Sequence, residues 1–575
     1  MERSGRGRRG ARPPRAARLV AALTAAALLA GCAQIAPVVD WQPPAWPDDS
    51  GARLVLAEGA AQGEGGGDGG GAEGGAAGEG GSEAGADAGA DSGAGGSAEG
   101  VGVGSVAEGA TATSGQELGF VERRLRNDRA RLQARYVEIP GWHRFNVRMS
   151  ELLSTAVAST GTVIKPEVFP VSAGLSHGGC VPGSASWPAA SVLAEPETGP
   201  LDGTGAGTSF VCDITAAFGD FVGVTARTVI GGPESITSDS AVTLYVELST
   251  GAVHESGELW STEAAEQLWL RAVELLRRQA GGLSAAPVSA PTDEQVVLAR
   301  GALDAARFTE SGARFTLPAG IAGSELEGLG IEATTAPVVV EIGAEEHSAW
   351  MSELGSTMQA QRGSPFAGLP EWRADQPVDC GLLACVAVTY DDGPSIHTAK
   401  LLDTLRTEQS TATFFMVGSS VNALPDVARR VAAEGHGIGS HTMTHADLTT
   451  LTPEKARKEV VDVEALLTKL TGRAVGIYRP PYGAVDDKVL AAVGQPAILW
   501  SIDTLDWKKP GREELARRSV GVATPGDIIL FHDLHAETVE NADVVLRGLR
   551  DRGFTLVTVE QLFGGSVPAG RVTRR

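Results

Sequence analysis

The last third of this 575-residue chain holds five short clusters of residues whose types could do chemistry. The first is Thr389-Tyr-Asp-Asp-Gly-Pro394. Adjacent carboxylates ahead of a Gly-Pro turn repel one another, and a cation or an Arg/Lys would relieve them. Standing alone, the cluster reads equally as an acidic surface turn. The second is Ser440-His-Thr-Met-Thr-His445. Histidines at i and i+4 have metal-ligand spacing, and on a helical turn both rings meet on one face. Two His and one carboxylate make a three-ligand set that leaves a position open for water. Arg479-Pro-Pro-Tyr-Gly483 follows. Its Pro-Pro pair stiffens the backbone so that it can present a fixed N–H, and Arg479 can pair with a carboxylate. Asp503-Thr-Leu-Asp-Trp507 sets an acid beside an aromatic face that could stack on a sugar. Ile529-Leu-Phe-His-Asp533 supplies His532, a group able to titrate near neutral pH. The last three clusters also have ordinary readings as a turn, a half-buried strand cap and a structural histidine.

Four of the five, all but Arg479–Gly483, fall at the ends of short apolar runs that read as strands, where α/β folds build their sites. Strands are expected over 384–389, 411–417, 437–440, 497–502, 527–531 and 554–559. Helices are expected over 397–408, 424–434, 453–471, 485–493 and 539–552. Repeated βα units with buried strands predict a parallel sheet, and about 190 residues is short for a full eight-fold barrel, so a reduced or distorted one is expected.

The rest of the chain is of different texture. Net charge is −23, which argues against broad nucleic-acid binding, and no apolar run is long enough to span a membrane as a helix. Residues 1–31 read as a secretory signal, with an Arg-rich start and a twelve-residue run that is apolar but for one Thr. The run ends Leu29-Ala-Gly-Cys32, which resembles a bacterial lipobox and implies lipidation of Cys32. Residues 32–118 read as a disordered acidic tether: between Glu58 and Glu117 there are eleven acids and no Lys or Arg in a Gly/Ala background. Residues 120–360 read as a separate α+β domain. Within it the charged stretch 122–135 is expected to be helical, as is 263–278, with strands near 241–248, 314–318 and 337–342. His143, His177 and His254 are isolated there. Residues 361–377 read as a linker to a domain over 378–565. Cys180, Cys212, Cys380 and Cys385 are an even set in an exported chain, and of three pairings proximity favours Cys180–Cys212 and Cys380–Cys385.

The five clusters, in this order, resemble the NodB-homology polysaccharide deacetylases, carbohydrate esterase family 4. The resemblance implies a distorted (β/α) barrel and metal-dependent removal of acetyl groups from glycans. It implies that Asp392, His441 and His445 hold one divalent metal ion, usually Zn²⁺ with Co²⁺ as an alternative, and that Asp391 is the general base, oriented by Arg479. The Tyr482 backbone N–H would form part of an oxyanion hole beside Pro480, Asp506 would tune the general acid His532, and Trp507 and Leu530 would line the acetyl pocket. Residue 390 is Tyr where Phe is more usual, at a strand position away from the chemistry. Tyr136-Val-Glu-Ile-Pro140, Phe145-Asn146 and the Leu248-Ser-Thr-Gly251 turn resemble the extracellular domain of RsiV-type anti-sigma factors. A lipid-anchored protein facing the cell wall points to peptidoglycan as the polysaccharide, with chitin oligosaccharides or O-acetyl xylan as alternatives. A non-catalytic glycan sensor is the alternative of another class. The sugar attacked and the oligomeric state are not legible.

Overall fold

The computed structural model describes residues 52–55, 115, 117–141, 143–201, 205–232, 234–281, 287–309 and 312–575. The expected signal segment, Cys32 and nearly all of the acidic segment lie outside these residues. No helix among the described residues is long and apolar enough to cross a membrane.

The C-terminal region is built on parallel strands. Gly437–Ser440, Thr413–Met416, Ala384–Asp391, Ile528–His532 and Ile502–Asp503 lie side by side in that order, and Phe554–Val557 pairs with the first half of Ala384–Asp391. Single parallel bridges link Ser440 to Tyr478 and Tyr478 to Ala497. The succession of neighbours thus runs nearly back to its start, an arrangement consistent with a distorted (β/α) barrel. Every residue of Ala384–Asp391 is buried, as expected for a strand covered on both faces. Helices Thr398–Thr407, Pro425–Ala433 and Pro453–Thr471 cover it, the last capped by Thr452, opened by Pro453 and closed by left-handed Gly472. These are close to the expected elements. Three helices were not expected, Gly418–Ala423, Arg512–Ser519 and Val559–Leu562, and the helix expected over 539–552 is broken into Ala536–Glu540 and Ala542–Asp551. The region also runs past residue 565, because Arg571–Val572 adds a strand alongside Ala497–Ile498.

The N-terminal region carries two sheets. The larger has six strands in chain order from Val121–Asn127 to Ala252–Glu255, antiparallel except where Leu132–Glu138 meets Gly207–Phe218. Residues 122–135, expected to be helical, form its first hairpin. The arginines find acceptors across the strands, Arg123 Nε on Glu138 at 2.9 Å and Arg124 on Gln133, and Asn127 accepts the Ala130 N–H to close the turn. The helix Ala264–Gln279 lies as expected. The second sheet orders Ala52–Val55, Val338–Gly343, Gly312–Leu317 and Arg307–Phe308. Ala52–Val55 departs from the disordered tether expected over 32–118. Its backbone completes the free edge of Val338–Gly343, and Leu54 packs on the second hydrophobic core.

Residues 362–383 hold no helix or strand, yet they are fastened to both regions. Arg373 donates to the Ala433 carbonyl at 2.6 Å, and Gln376 accepts the Gly141 N–H at 3.1 Å. The regions also touch directly, through Phe169 N–H to the Arg552 carbonyl and Gln409 Nε2 to the Phe120 carbonyl, each 3.0 Å. Disulfides join Cys180 to Cys212 and Cys380 to Cys385.

Candidate active site

All five polar clusters converge where the C-terminal ends of the strands meet, Arg479–Gly483 through the Arg479 side chain and carbonyl and the Tyr482 ring. The strand Ala384–Asp391 delivers Asp391 as its last residue, 2% exposed. The chain then turns sharply, with Asp392 in the left-handed region (φ 75°). That turn sends the two neighbouring carboxylates in different directions.

Asp392 faces the histidines. Its Oδ1 lies 3.3 Å from His441 Nε2 and 3.2 Å from His445 Nε2. The same Oδ1 is buried and has no hydrogen-bond partner among the described residues. Burial opposes its charge, but the two facing imidazoles, His441 and His445, outweigh burial and hold the carboxyl well below the usual carboxylate range. The ligand atoms of Asp392, His441 and His445 all lie within 4.8 Å of one another, close enough to hold one metal ion. The His441 Nδ1 lies 2.7 Å from the Arg479 carbonyl, which fixes the proton there and leaves Nε2 as the donor atom turned to Asp392. An orphaned buried carboxylate oxygen facing two imidazole nitrogens fits a divalent cation.

The histidine pair is not on a helical turn. Residues 441–445 form an irregular loop with Thr442 (φ 66°) and His445 (φ 59°) both left-handed. This loop brings the ring centroids to 5.1 Å. Left-handed non-glycine residues each cost on the order of 1–3 kcal/mol and persist where the surroundings impose them. Asp392, Thr442, His445, Tyr482 and Leu505 are all of this kind and all border this one site.

Asp391 faces Arg479. This guanidinium is completely buried. It donates to Asp391 Oδ1 at 2.8 Å, to Thr389 Oγ1 at 2.7 Å, and to the carbonyls of Ile498 and Leu499 at 3.1 and 2.9 Å. Its plane lies over the Phe415 ring, 4.3 Å from the centroid. Burial lowers its pKa, and Asp391 works in the opposite direction. Thr389 was not singled out from sequence. It precedes Asp391 by two in a strand and so shares its face, which is a legible signal.

On the other flank, Asp506 is 2% exposed and fully engaged. Its Oδ1 accepts His532 Nδ1 at 2.8 Å, and its Oδ2 accepts the His532 N–H and Thr538 Oγ1, both at 2.8 Å. Burial pulls the His532 pKa down, but the Asp506 hydrogen bond and charge, with Asp391 and Asp392 behind them, raise it to about 9. Asp533 is also completely buried. Burial pushes its carboxyl up to about 7 against a hydrogen bond from Thr398, and the charges of Asp392 and Asp391 add to the rise.

The rim is apolar. Tyr482, 73% exposed, sits at φ 61° after Pro480 and Pro481 and sets its ring edge-on to His445 at 4.8 Å. Trp507 is half exposed with Lys508 over its face. Leu530 is buried within the strand Ile528–His532. The isolated histidines of the N-terminal region stay out of the site; His254 pairs with Glu258 at 3.3 Å. A small cavity between the two regions, lined by Arg124, Trp372, Gln409 and Arg550 among others, opens at the opposite ends of the strands.

Comparison with known proteins places this geometry. Residues 383–497 match the family model described as polysaccharide deacetylase, which spans the first three clusters. A peptidoglycan-N-acetylglucosamine deacetylase of Listeria monocytogenes is 37% identical over 187 residues, 32% of this chain and 40% of that protein. A peptidoglycan-N-acetylmuramic acid deacetylase of Bacillus subtilis is 35% identical over 178 residues, 31% of this chain and 38% of that protein. The chain therefore spans about two fifths of the length of these relatives. A chitooligosaccharide deacetylase of Rhizobium leguminosarum bv. trifolii is 36% identical over 195 residues, 31% of this chain and 90% of that protein. A match that runs through nine tenths of a relative at this identity is a match of whole catalytic regions, and on that ground this chain belongs to the polysaccharide deacetylases.

Proposed function

We propose that this protein is a metal-dependent hydrolase that removes N-acetyl groups from peptidoglycan. One observation carries the reading. The Asp392–His441–His445 cluster is flanked on one side by a carboxylate held by a buried arginine, and on the other by an imidazole held by a buried carboxylate. Hydrolysis of an amide needs a base for the attacking water and an acid for the departing amine, and here the two are separate groups with opposite preferred charge.

Asp392, His441 and His445 would hold the ion. When bound, such an ion supplies Lewis-acid polarisation of the acetyl carbonyl and lowers the pKa of water from ~16 toward ~7. Asp391, oriented by Arg479, takes the proton from the attacking water as the new C–O bond forms. The Tyr482 backbone N–H donates to the oxygen that gains negative charge. His532 gives its Nε2 proton to the nitrogen as the C–N bond breaks, and Asp506 keeps the ring cationic and aligned until then. The products are acetate and a free amine on the sugar. Trp507 and Leu530 bracket the acetyl methyl, and Trp507 offers a face to the sugar ring.

The substrate choice rests on the peptidoglycan deacetylases among its relatives. Export is supported by the two disulfides, which persist in oxidising compartments. Anchoring through a lipid on Cys32, at the outer face of a bacterial membrane, would set the site against the wall. Zinc is the ion this donor set favours, with Co²⁺ as an alternative. The test is acetate release by purified protein retaining residues 50–575 on peptidoglycan, chitin oligomers and acetylated xylan, with EDTA and with added zinc. Zinc-restored release, greatest from peptidoglycan, is expected. No release from any of the three by folded, zinc-loaded protein would overturn the reading.

A further inference from the structure

Asp533 is a completely buried carboxyl that the reaction above does not use. It stands where two functional segments meet. It follows His532 directly, and its backbone N–H points to the Asp391 carbonyl at 3.4 Å. Its own carbonyl accepts from Ser395 Oγ at 2.7 Å, and its Oδ2 accepts from Thr398 Oγ1 at 2.5 Å. Oδ1 has no partner among the described residues. The carboxyl lies flat against Gly393: a Cβ built on that glycine would sit 2.2 Å from Oδ2 and 2.4 Å from Oδ1.

Gly393 is the residue after Asp392, and Asp392 is the one held left-handed at φ 75°. A non-glycine residue keeps that conformation only if its surroundings impose it. Three hydrogen bonds do part of this: Val417 N–H to the Gly393 carbonyl at 3.0 Å, Ser420 Oγ to the Asp392 carbonyl at 3.3 Å, and the Asp533 N–H just described. The Asp533 carboxyl adds a packing contact, filling the space beside Gly393 on the side where a Cβ would stand. Without it, the turn is free to relax toward right-handed geometry, and the Asp392 carboxylate then swings away from His441 and His445.

We propose that Asp533 is a positioning residue, a buried strut that acts through Gly393 to hold the Asp392 carboxylate on the metal-ligand cluster. The proposal rests on the deacetylase reading for its catalytic consequence, though not for its consequence on metal binding.

The test measures zinc affinity by chelator competition on metal-stripped protein retaining residues 50–575, with kcat and KM for acetate release and circular dichroism alongside. Asp533→Ala is expected to weaken zinc binding about 10–100-fold, and to lower kcat at saturating zinc with little change in KM. Asp533→Asn keeps a planar group against Gly393 and an acceptor for Thr398, so its zinc affinity stays within about threefold of the parent. Thr398→Val lets the carboxyl turn and gives an intermediate loss. Leu546→Ala, a core change on the helix Ala542–Asp551, serves as the stability control. Folded Asp533→Ala with zinc affinity within twofold of the parent overturns the proposal. So does an equal loss in Asp533→Asn, or in Leu546→Ala at a matched fall in Tm. If Asp533→Ala does not fold, unchanged zinc affinity in Thr398→Val overturns it. A parent protein that binds zinc but releases no acetate refutes the deacetylase reading and leaves the strut to be judged on affinity alone.

Discussion

The Nδ1 of His441 lies 2.7 Å from the backbone carbonyl of Arg479, while the side chain of the same Arg479 grips Asp391. One residue therefore orients an imidazole of the candidate metal cluster with its main chain and the proposed base with its side chain. It is itself fixed by its own N–H, which donates to the Ser440 carbonyl at 2.8 Å, next to His441. Ligand and base cannot move independently of one another.

Replacing Arg479 should be costly even by lysine. The guanidinium fills four acceptors in fixed directions, and an ammonium on a thinner stem cannot reach them together. Arg479→Lys should lower kcat/KM by about 100-fold or more through displacement of Asp391. Arg479→Ala leaves Asp391 buried without its partner and should also cost about 3–5 kcal/mol of stability. Acetate assays with urea unfolding read both effects.

Removal of the metal should act on stability as well as on turnover. The cluster opposes a carboxylate to two imidazoles, and an ion bound only by the folded state stabilises it by about 4 kcal/mol at a thousandfold excess over Kd. EDTA should abolish acetate release and lower Tm, and zinc should restore both. In Asp392→Ala, zinc should no longer raise Tm.

The pH profile should carry the mark of Asp506. The His532 pKa, pulled down by burial but raised further by Asp506, stands at about 9, above its unfolded value near 6.5. The sign follows: the stabilisation is complete below about pH 6.5 and is lost as pH rises through about 9. The same deprotonation removes the acid, so kcat/KM should fall on the alkaline side near pH 9. Asp506→Asn should move that limb down toward 6.5. A limb that stays in place would refute His532 as the acid.

The Cys180–Cys212 bridge closes a separation of 32 residues in the N-terminal region. The chain-entropy argument gives it about 3–4 kcal/mol. Replacing both cysteines by serine should lower the unfolding free energy by about that amount. Acetate release per folded molecule should stay unchanged, because the bridge touches none of the site residues.

Much of the C-terminal region is legible without coordinates. Residues that do chemistry sit at the ends of apolar runs, and parallel strands buried on both faces announce themselves by composition. Caps at Thr452 and Gly472 mark the limits of Pro453–Thr471 because capping is local. The stretch 122–135 misleads for an equally plain reason. Dense charge looks helical along the chain, but Arg123 finds Glu138 across a strand pair, and only the pairing shows it.

The amino-acid order alone determined which side chains could bind a cation, donate a proton or accept one, since those are properties of residue type and short spacing. The tertiary structure decided how they are used. His441 and His445 meet through two left-handed residues rather than a helical turn, and Asp391 and Asp392, adjacent in sequence, are sent to different partners by one φ of 75°. Asp533, which has no distinctive spacing, lies against Gly393 only because two distant strand ends converge. Backbone conformations that cost energy on their own are held by contacts between segments far apart in the chain, and such contacts exist only once the whole region is packed.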